Sequence, residues 1–149
     1  MPNWCSNELR VSGPEADLTR FKAQANGFNP WNVPGPKDKP CPLNFHSLVP
    51  VPENILKLGY ANAGHDWEVK HWGARWGACD VEIVDGDAEY ILYHFDTAWA
   101  PAVPFIQNVC KQWPSLTFIL DYDEPGAGYK GICKGAGEHF ENHSIDYQP

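Results

Sequence analysis

The hydrophobic positions of this chain fall into two rhythms, and their order predicts a fold. In ELRVS, residues 8–12, Leu9 and Val11 alternate with Glu8, Arg10 and Ser12, the period of a half-buried strand. Gly13-Pro14 breaks the run, and Pro14 suits a first helical turn because its missing N–H costs nothing there. Leu18, Phe21 and Ala25 then recur at i, i+3 and i+7, one face of a helix that Asn26-Gly27 stops.

Residues 28–53 lose all rhythm. Prolines recur through FNPWNVPGPKDKPCPLNFHSLVPVPE and forbid a long helix or a central strand. A short edge strand fits near Phe45 to Val49, a short helix after Pro52, and another helical piece in DWEVKHWG, residues 66–73. Residues 28–78 therefore read as a long proline-rich insertion packed by its own rings. Regularity returns at Cys79. Val81 and Ile83 alternate with Asp80 and Glu82, Asp85-Gly86-Asp87 turns, and Glu89 to Phe95 completes a hairpin. Ile106, Val109, Cys110 and Trp113 share a helix face, with Asp96 or Thr97 as the expected N-cap. Phe118, Leu120 and Tyr122 make a fourth strand, and Tyr129 to Cys133 an added strand at the edge. The tail, 135–149, is polar and expected to be partly loose.

This order is βαββαβ, which implies an α+β, ferredoxin-like antiparallel sheet with two helices on one face. The insertion after the first helix and the extra edge strand are its additions. A chain of 149 residues favours one domain, 1–149.

Charge sharpens the picture. Residues 1–75 carry 8 Lys/Arg and 7 Asp/Glu, and residues 76–149 carry 3 and 12, so the net charge of −8 divides as +1 and −9. An acidic second half disfavours binding to a phosphate backbone, which needs clustered cations. The five cysteines, Cys5, Cys41, Cys79, Cys110 and Cys133, are odd in number and far apart. They read as small core residues of a protein in a reducing cytoplasm. No apolar run is long enough to span a bilayer.

Four segments carry a resemblance: the opening PNWCSNELRVSGP, WGARWGACDVEI, FDTAWAPAVPFI and DYDEPGAGYKG. Their order and spacing are similar to those of the YubB ferredoxin-like domain family of small phage- and plasmid-encoded proteins. The resemblance covers roughly residues 2–133. Asn3, Trp4, Cys5 and Asn7 match the family's opening, and Trp72, Gly73 and Trp76 its W-G-x-[KR]-W element, with Arg75 at the basic position. Thr97, Ala98, Trp99 and Pro101 match T-A-W-x-P, and Glu124, Pro125 and Gly126 match E-P-G. Gly77 departs from the pattern, where a polar residue is usual. The resemblance implies the fold and a mobile-element origin, and no activity.

Candidate chemistry is sparse. His139 and His143 stand four apart, but GEHFENHSI lacks the periodicity of a docked helix, so no metal site is expected. GAGYKG, residues 126–131, follows a hairpin turn and has no helix N-terminus to cradle phosphate. No cofactor and no catalytic residue is assigned. If Leu9, Val11, Val81, Ile83, Phe118 and Leu120 face the helices, the opposite face shows Glu8, Arg10, Asp80, Glu82, Ile119, Asp121 and Asp123. Such a face repels phosphates and argues against RNA binding in the manner of an RRM, whose open sheet stacks bases on aromatic rings.

Two binding sites remain. Trp72, Arg75, Trp76, Thr97 and Trp99 offer rings, a guanidinium and a hydroxyl for a nucleotide-type ligand. For Trp72 and Trp76 the stronger expectation is a core plug that anchors the insertion. Asp80, Glu82, Asp121 and Asp123 offer an acidic surface for a basic host protein. The expected function is that of a non-enzymatic phage or plasmid accessory protein in counter-defence or host takeover. It would act by occluding a host protein through the acidic sheet face, or by sequestering a nucleotide-type signal.

Overall fold

A computed structural model describes residues 2–31 and 39–147. Its strands are β1 (Trp4–Ser12), β2 (Cys79–Gly86), β3 (Tyr90–Ala98), β4 (Thr117–Glu124), β5 (Tyr129–Ala136) and β6 (His139–Asp146). Its helices are α1 (Glu15–Ala25), α2 (Phe45–Leu48), α3 (Glu53–Leu58), α4 (His65–Trp72) and α5 (Val103–Gln112), with a π-helical turn at Tyr60–Gly64. The sheet order is β2-β3-β1-β4-β5-β6, with every pairing antiparallel. The first four strands and helices α1 and α5 realise the expected βαββαβ arrangement, and β5 and β6 extend it beyond β4.

Strand alternation builds the core. Cys5, Leu9 and Val11 of β1, Ile91, Tyr93 and Phe95 of β3, and Phe118, Leu120 and Tyr122 of β4 are buried on one sheet face. Leu18, Phe21 and Ala25 of α1 and Phe105, Ile106, Val109 and Cys110 of α5 pack over them. Phe21 meets Phe118 and Trp113 edge-on, with centroids 5.5 Å apart in both pairs. Alternation of this kind leaves the other face without an apolar layer of its own.

The segment between α1 and β2 decides what happens to that second face. Leu43, Phe45, Leu48, Val49, Val51 and Trp72 all belong to the common core. Phe45 is the wedge. Its ring stacks on Phe105 of α5 at 3.7 Å and 6°, and meets Phe95 and Trp72 edge-on at 5.8 Å. Phe95 and Phe105 lie on the helix side of the sheet, so this segment is anchored there. The open face stays uncovered by the anchored residues.

Four local expectations change. Residues 45–48 form the helix α2 and not an edge strand, because Phe45 and Leu48, three apart, both point into the core. Of Val81 and Ile83 only Val81 packs against the core, and only in part: register shifts fall between Cys79 and Glu82 and between Ile83 and Asp85, and Ile83 is 55% exposed. Asp96 and Thr97 lie in β3, and the position before α5 is Ala102, with no side-chain cap. The tail is a strand: β6 pairs with β5 through eight residues without a shift, so β5 is interior and β6 is the edge.

The wedge gives a direct test. Phe45→Ala should lower unfolding free energy by about 3–5 kcal/mol, the usual cost of removing a fully buried ring. Urea denaturation followed by tryptophan fluorescence checks this. A loss under about 1 kcal/mol would mean that Phe45 is not a core element.

Candidate functional site

The tryptophan–arginine group forms around the end of α4. Gly73 closes the helix in the left-handed region at φ 91°, donating its N–H to the carbonyls of Glu68 and Val69. A Cβ there would lie 2.7 Å from the carbonyl oxygen of Pro101 and 2.6 Å from Cδ of Pro104, so only glycine lets α4 approach the start of α5. Trp72 is fully buried and donates its indole N–H to the Val49 carbonyl at 2.9 Å. It is a plug, with no free face or donor for a ligand.

Trp76 is half-buried and itself left-handed, at φ 72°. A bulky residue holds this conformation only when its surroundings fix it. Here its N–H donates to Glu68 Oε1 at 2.7 Å and its carbonyl accepts from the Asn29 amide at 3.2 Å. Gly77 follows at φ 71° with Phe45 close against it. The residue types that tolerate positive φ are Gly, then Asn and Asp. Glycine therefore meets the backbone requirement at this position.

Glu68 is the residue that sequence reasoning missed. It is fully buried; Oε1 accepts from the Trp76 N–H and, at 3.4 Å, from the Tyr60 hydroxyl, while Oε2 has no partner among the described residues. Burial pushes its carboxyl up to about 7, against the hydrogen bonds from Trp76 and Tyr60 and the nearby Arg75 guanidinium. Arg75 lies 4.4 Å over the Trp76 ring and 5.8 Å from the Tyr60 ring. A sequence signal existed: Gly64, Glu68 and Trp72 recur every fourth residue, and all three are buried.

Thr97 and Trp99 are not part of this group's polar chemistry. Thr97 is fully buried, accepts from the Asn7 amide at 2.9 Å and donates to the Ala100 carbonyl at 2.5 Å. Asn7, also fully buried, donates to the Cys5 carbonyl and accepts from the Ala102 N–H at 3.4 Å. Trp99, 52% exposed, donates its N–H to the Asn3 carbonyl at 2.7 Å. The Glu124 carboxylate accepts from the Gly126 N–H at 2.9 Å, and a Cβ on Gly126 would meet Asn3 at 2.7 Å. The opening segment, T-A-W-x-P and E-P-G thus lock one another, an architectural reason for those residue types.

The open face is different in kind. In one row across the sheet, Glu82, His94, Glu8, Asp121, Ile132 and His143 stand side by side. In the next, Asp96, Ser6, Asp123, Lys130 and Ile145 do so. Glu8 is directly opposite Asp121, a like-charge pair that costs stability. Among the described residues no Lys or Arg forms an ion pair with these carboxylates; His94 approaches Asp96 at 4.0 Å. Asp96 is held above the usual carboxylate range by burial, opposed by His94 and reinforced by Asp80.

Asp80 occupies the bulge of β2 at φ 51°, between the Cys79–Asp96 and Glu82–His94 pairs. It has no cross-strand partner and does not extend the regular alternation. Glu82, Asp121 and Asp123 share the open face as expected. A groove of about 610 Å³ crosses this face, lined by residues that include Glu8, His94, Asp121, Asp123, Ile132 and His143. His139 and His143 are on strand β6, not a helix, and no group of three or more possible metal ligands gathers among the described residues.

Comparison with known proteins adds the family. Residues 71–148, just over half of the chain, match the family model described as "Ferredoxin-like domain in Api92-like protein". The chain belongs to that family. A solved relative in fold is "protein api92 from Yersinia pseudotuberculosis", with a TM-score of 0.75 and 9% identity over 100% of both chains. At that identity the Api92 likeness speaks for the fold alone. No curated protein matches the chain. No helix among the described residues is long and apolar enough to cross a membrane.

The buried carboxyl generates a pH prediction. Because the Glu68 pKa is raised from 4.5 to about 7 on folding, the folded chain holds this proton more tightly than the unfolded one. Its contribution is fully present below pH 4.5 and is lost as pH rises through about 7. Glu68→Gln, which keeps an acceptor for the Trp76 N–H, should flatten this part of the stability–pH curve. Parallel curves for the two proteins between these pH values would contradict the assignment.

Proposed function

We propose that this chain is a non-enzymatic binding protein that docks a basic protein surface on the open face of its sheet. The observation that carries this reading is the unneutralised row Glu82, Glu8 and Asp121, with Asp123 in the adjoining row, all four exposed. Like charges placed side by side weaken a fold, and an incoming cationic surface would turn that cost into attraction. Ile132 and Ile145, 44% and 61% exposed, give the groove an apolar margin for desolvated contact.

The thiols support a non-catalytic reading. Burial pushes Cys5, Cys79 and Cys133 up to about 12, and also raises Cys41 and Cys110. None is poised as a thiolate nucleophile. The mobile-element origin implied by the YubB resemblance gives this docking a purpose, occlusion of a host protein in counter-defence or takeover. Nucleotide sequestration is the weaker reading, because Trp72 and Thr97 spend their polar atoms inside the fold. Arg75 and Trp76 remain for it.

The double variant Glu8→Lys with Asp121→Lys tests the proposal. Binding of wild type to a lysine-rich polypeptide should weaken with added salt, and the double variant should bind at least about tenfold more weakly. Arg75→Ala should bind like wild type. Equal affinity of wild type and the double variant would refute docking on this face. A saturating calorimetric titration with a cyclic nucleotide, abolished by Arg75→Ala, would favour sequestration instead.

A further inference from the structure

The two edges of the sheet are built differently. β2 carries two register shifts and a left-handed residue, Asp80, features that twist an edge away from new strands. β6 carries none of them. It runs eight residues in unbroken register with β5, contains no proline and no lysine, and among the described residues pairs with β5 alone. Its outer backbone N–H and C=O groups form a ready template for another strand.

We propose that β6 pairs antiparallel with β6 of a second copy of this chain, about a two-fold axis through Asn142. The side chains choose both occupant and register. Within β6, Glu141, His143 and Ile145 face the open side and Phe140, Asn142 and Ser144 the helix side. A two-fold axis normal to the sheet keeps each side chain on its own side, so the central registers turn about Glu141, Asn142 or His143. Turning about Glu141 sets two carboxylates opposite each other, and turning about His143 sets two imidazoles opposite. Only the register about Asn142 sets each Glu141 opposite His143 of the second copy, twice by symmetry. Asn142 Oδ1 accepts from the Tyr122 hydroxyl at 2.7 Å, which holds that side chain back over the sheet and clear of the axis. The Glu141 and His143 side chains, 70% and 73% exposed and 3.5 Å apart within one strand, are free to redistribute across the axis.

The product is one continuous sheet made of two six-stranded sheets, with both acidic faces on the same side. This pairing uses the strand edge and does not depend on what docks on the face.

Sedimentation velocity of the full chain over a range of loading concentrations tests it. Wild type should move from 16.7 kDa towards twice that mass as concentration rises. His143→Glu sets carboxylates against carboxylates across the axis and should remain monomeric at the same concentrations, with an unchanged circular dichroism spectrum. The exchanged double variant Glu141→His/His143→Glu restores an acid opposite each imidazole and should recover the dimer. Wild type at 16.7 kDa at every concentration overturns the proposal. So does a dimer that survives His143→Glu, or an exchange that fails to restore it.

Discussion

The stacking of Phe45 on Phe105 decides the plan of this molecule. A chain that leaves α1 and wanders for some fifty residues before β2 could fold back over either side of the sheet. The ring stack, with Phe95 and Trp72 edge-on around it, draws residues 43–51 and Trp72 to the helix side. Burying four aromatic rings, three of them packed around Phe45, stabilises by several kcal/mol. The exposed acidic face follows from that choice.

The same packing explains the strain collected between α4 and β2. To bring Trp72 under the core and then start β2 at the sheet edge, the chain turns through Gly73, Trp76, Gly77 and Asp80, all at positive φ. Glu68 holds this turn from inside by accepting the Trp76 N–H. The cost is a buried carboxyl with a raised pKa, tolerated because a hydrogen-bonded Trp76 keeps the plug in place.

Much of this was legible in the chain. Leu9 and Val11, Phe118 and Leu120, and the helix faces of Leu18–Phe21 and Ile106–Val109 follow simple periods because both ends of each contact lie in one core. Legibility failed where tertiary context overrides period. The β2 alternation breaks at a bulge that no residue type announces. β6 is as polar as a loop because it lies at the sheet edge with most of its residues exposed. Phe45 looked like strand because four residues carry no period of their own. Parity places Glu8, Glu82, Asp121 and Asp123 on the acidic face but misplaces Asp80, which sits in the bulge, and two of the five members of the tryptophan–arginine group serve the interior. Glu68 was hidden because a carboxylate in an inward stripe reads as a surface residue.

Docking as proposed requires the open face to be the surface that meets a partner. An NMR titration of the uniformly labelled chain with a lysine-rich polypeptide addresses this directly. It predicts amide shifts centred on Glu8, His94, Asp121 and Asp123, with Arg75, Trp76 and the α4 end unmoved. Shifts centred on Arg75 and Trp76, or no shifts on the sheet at saturating polypeptide, would contradict it.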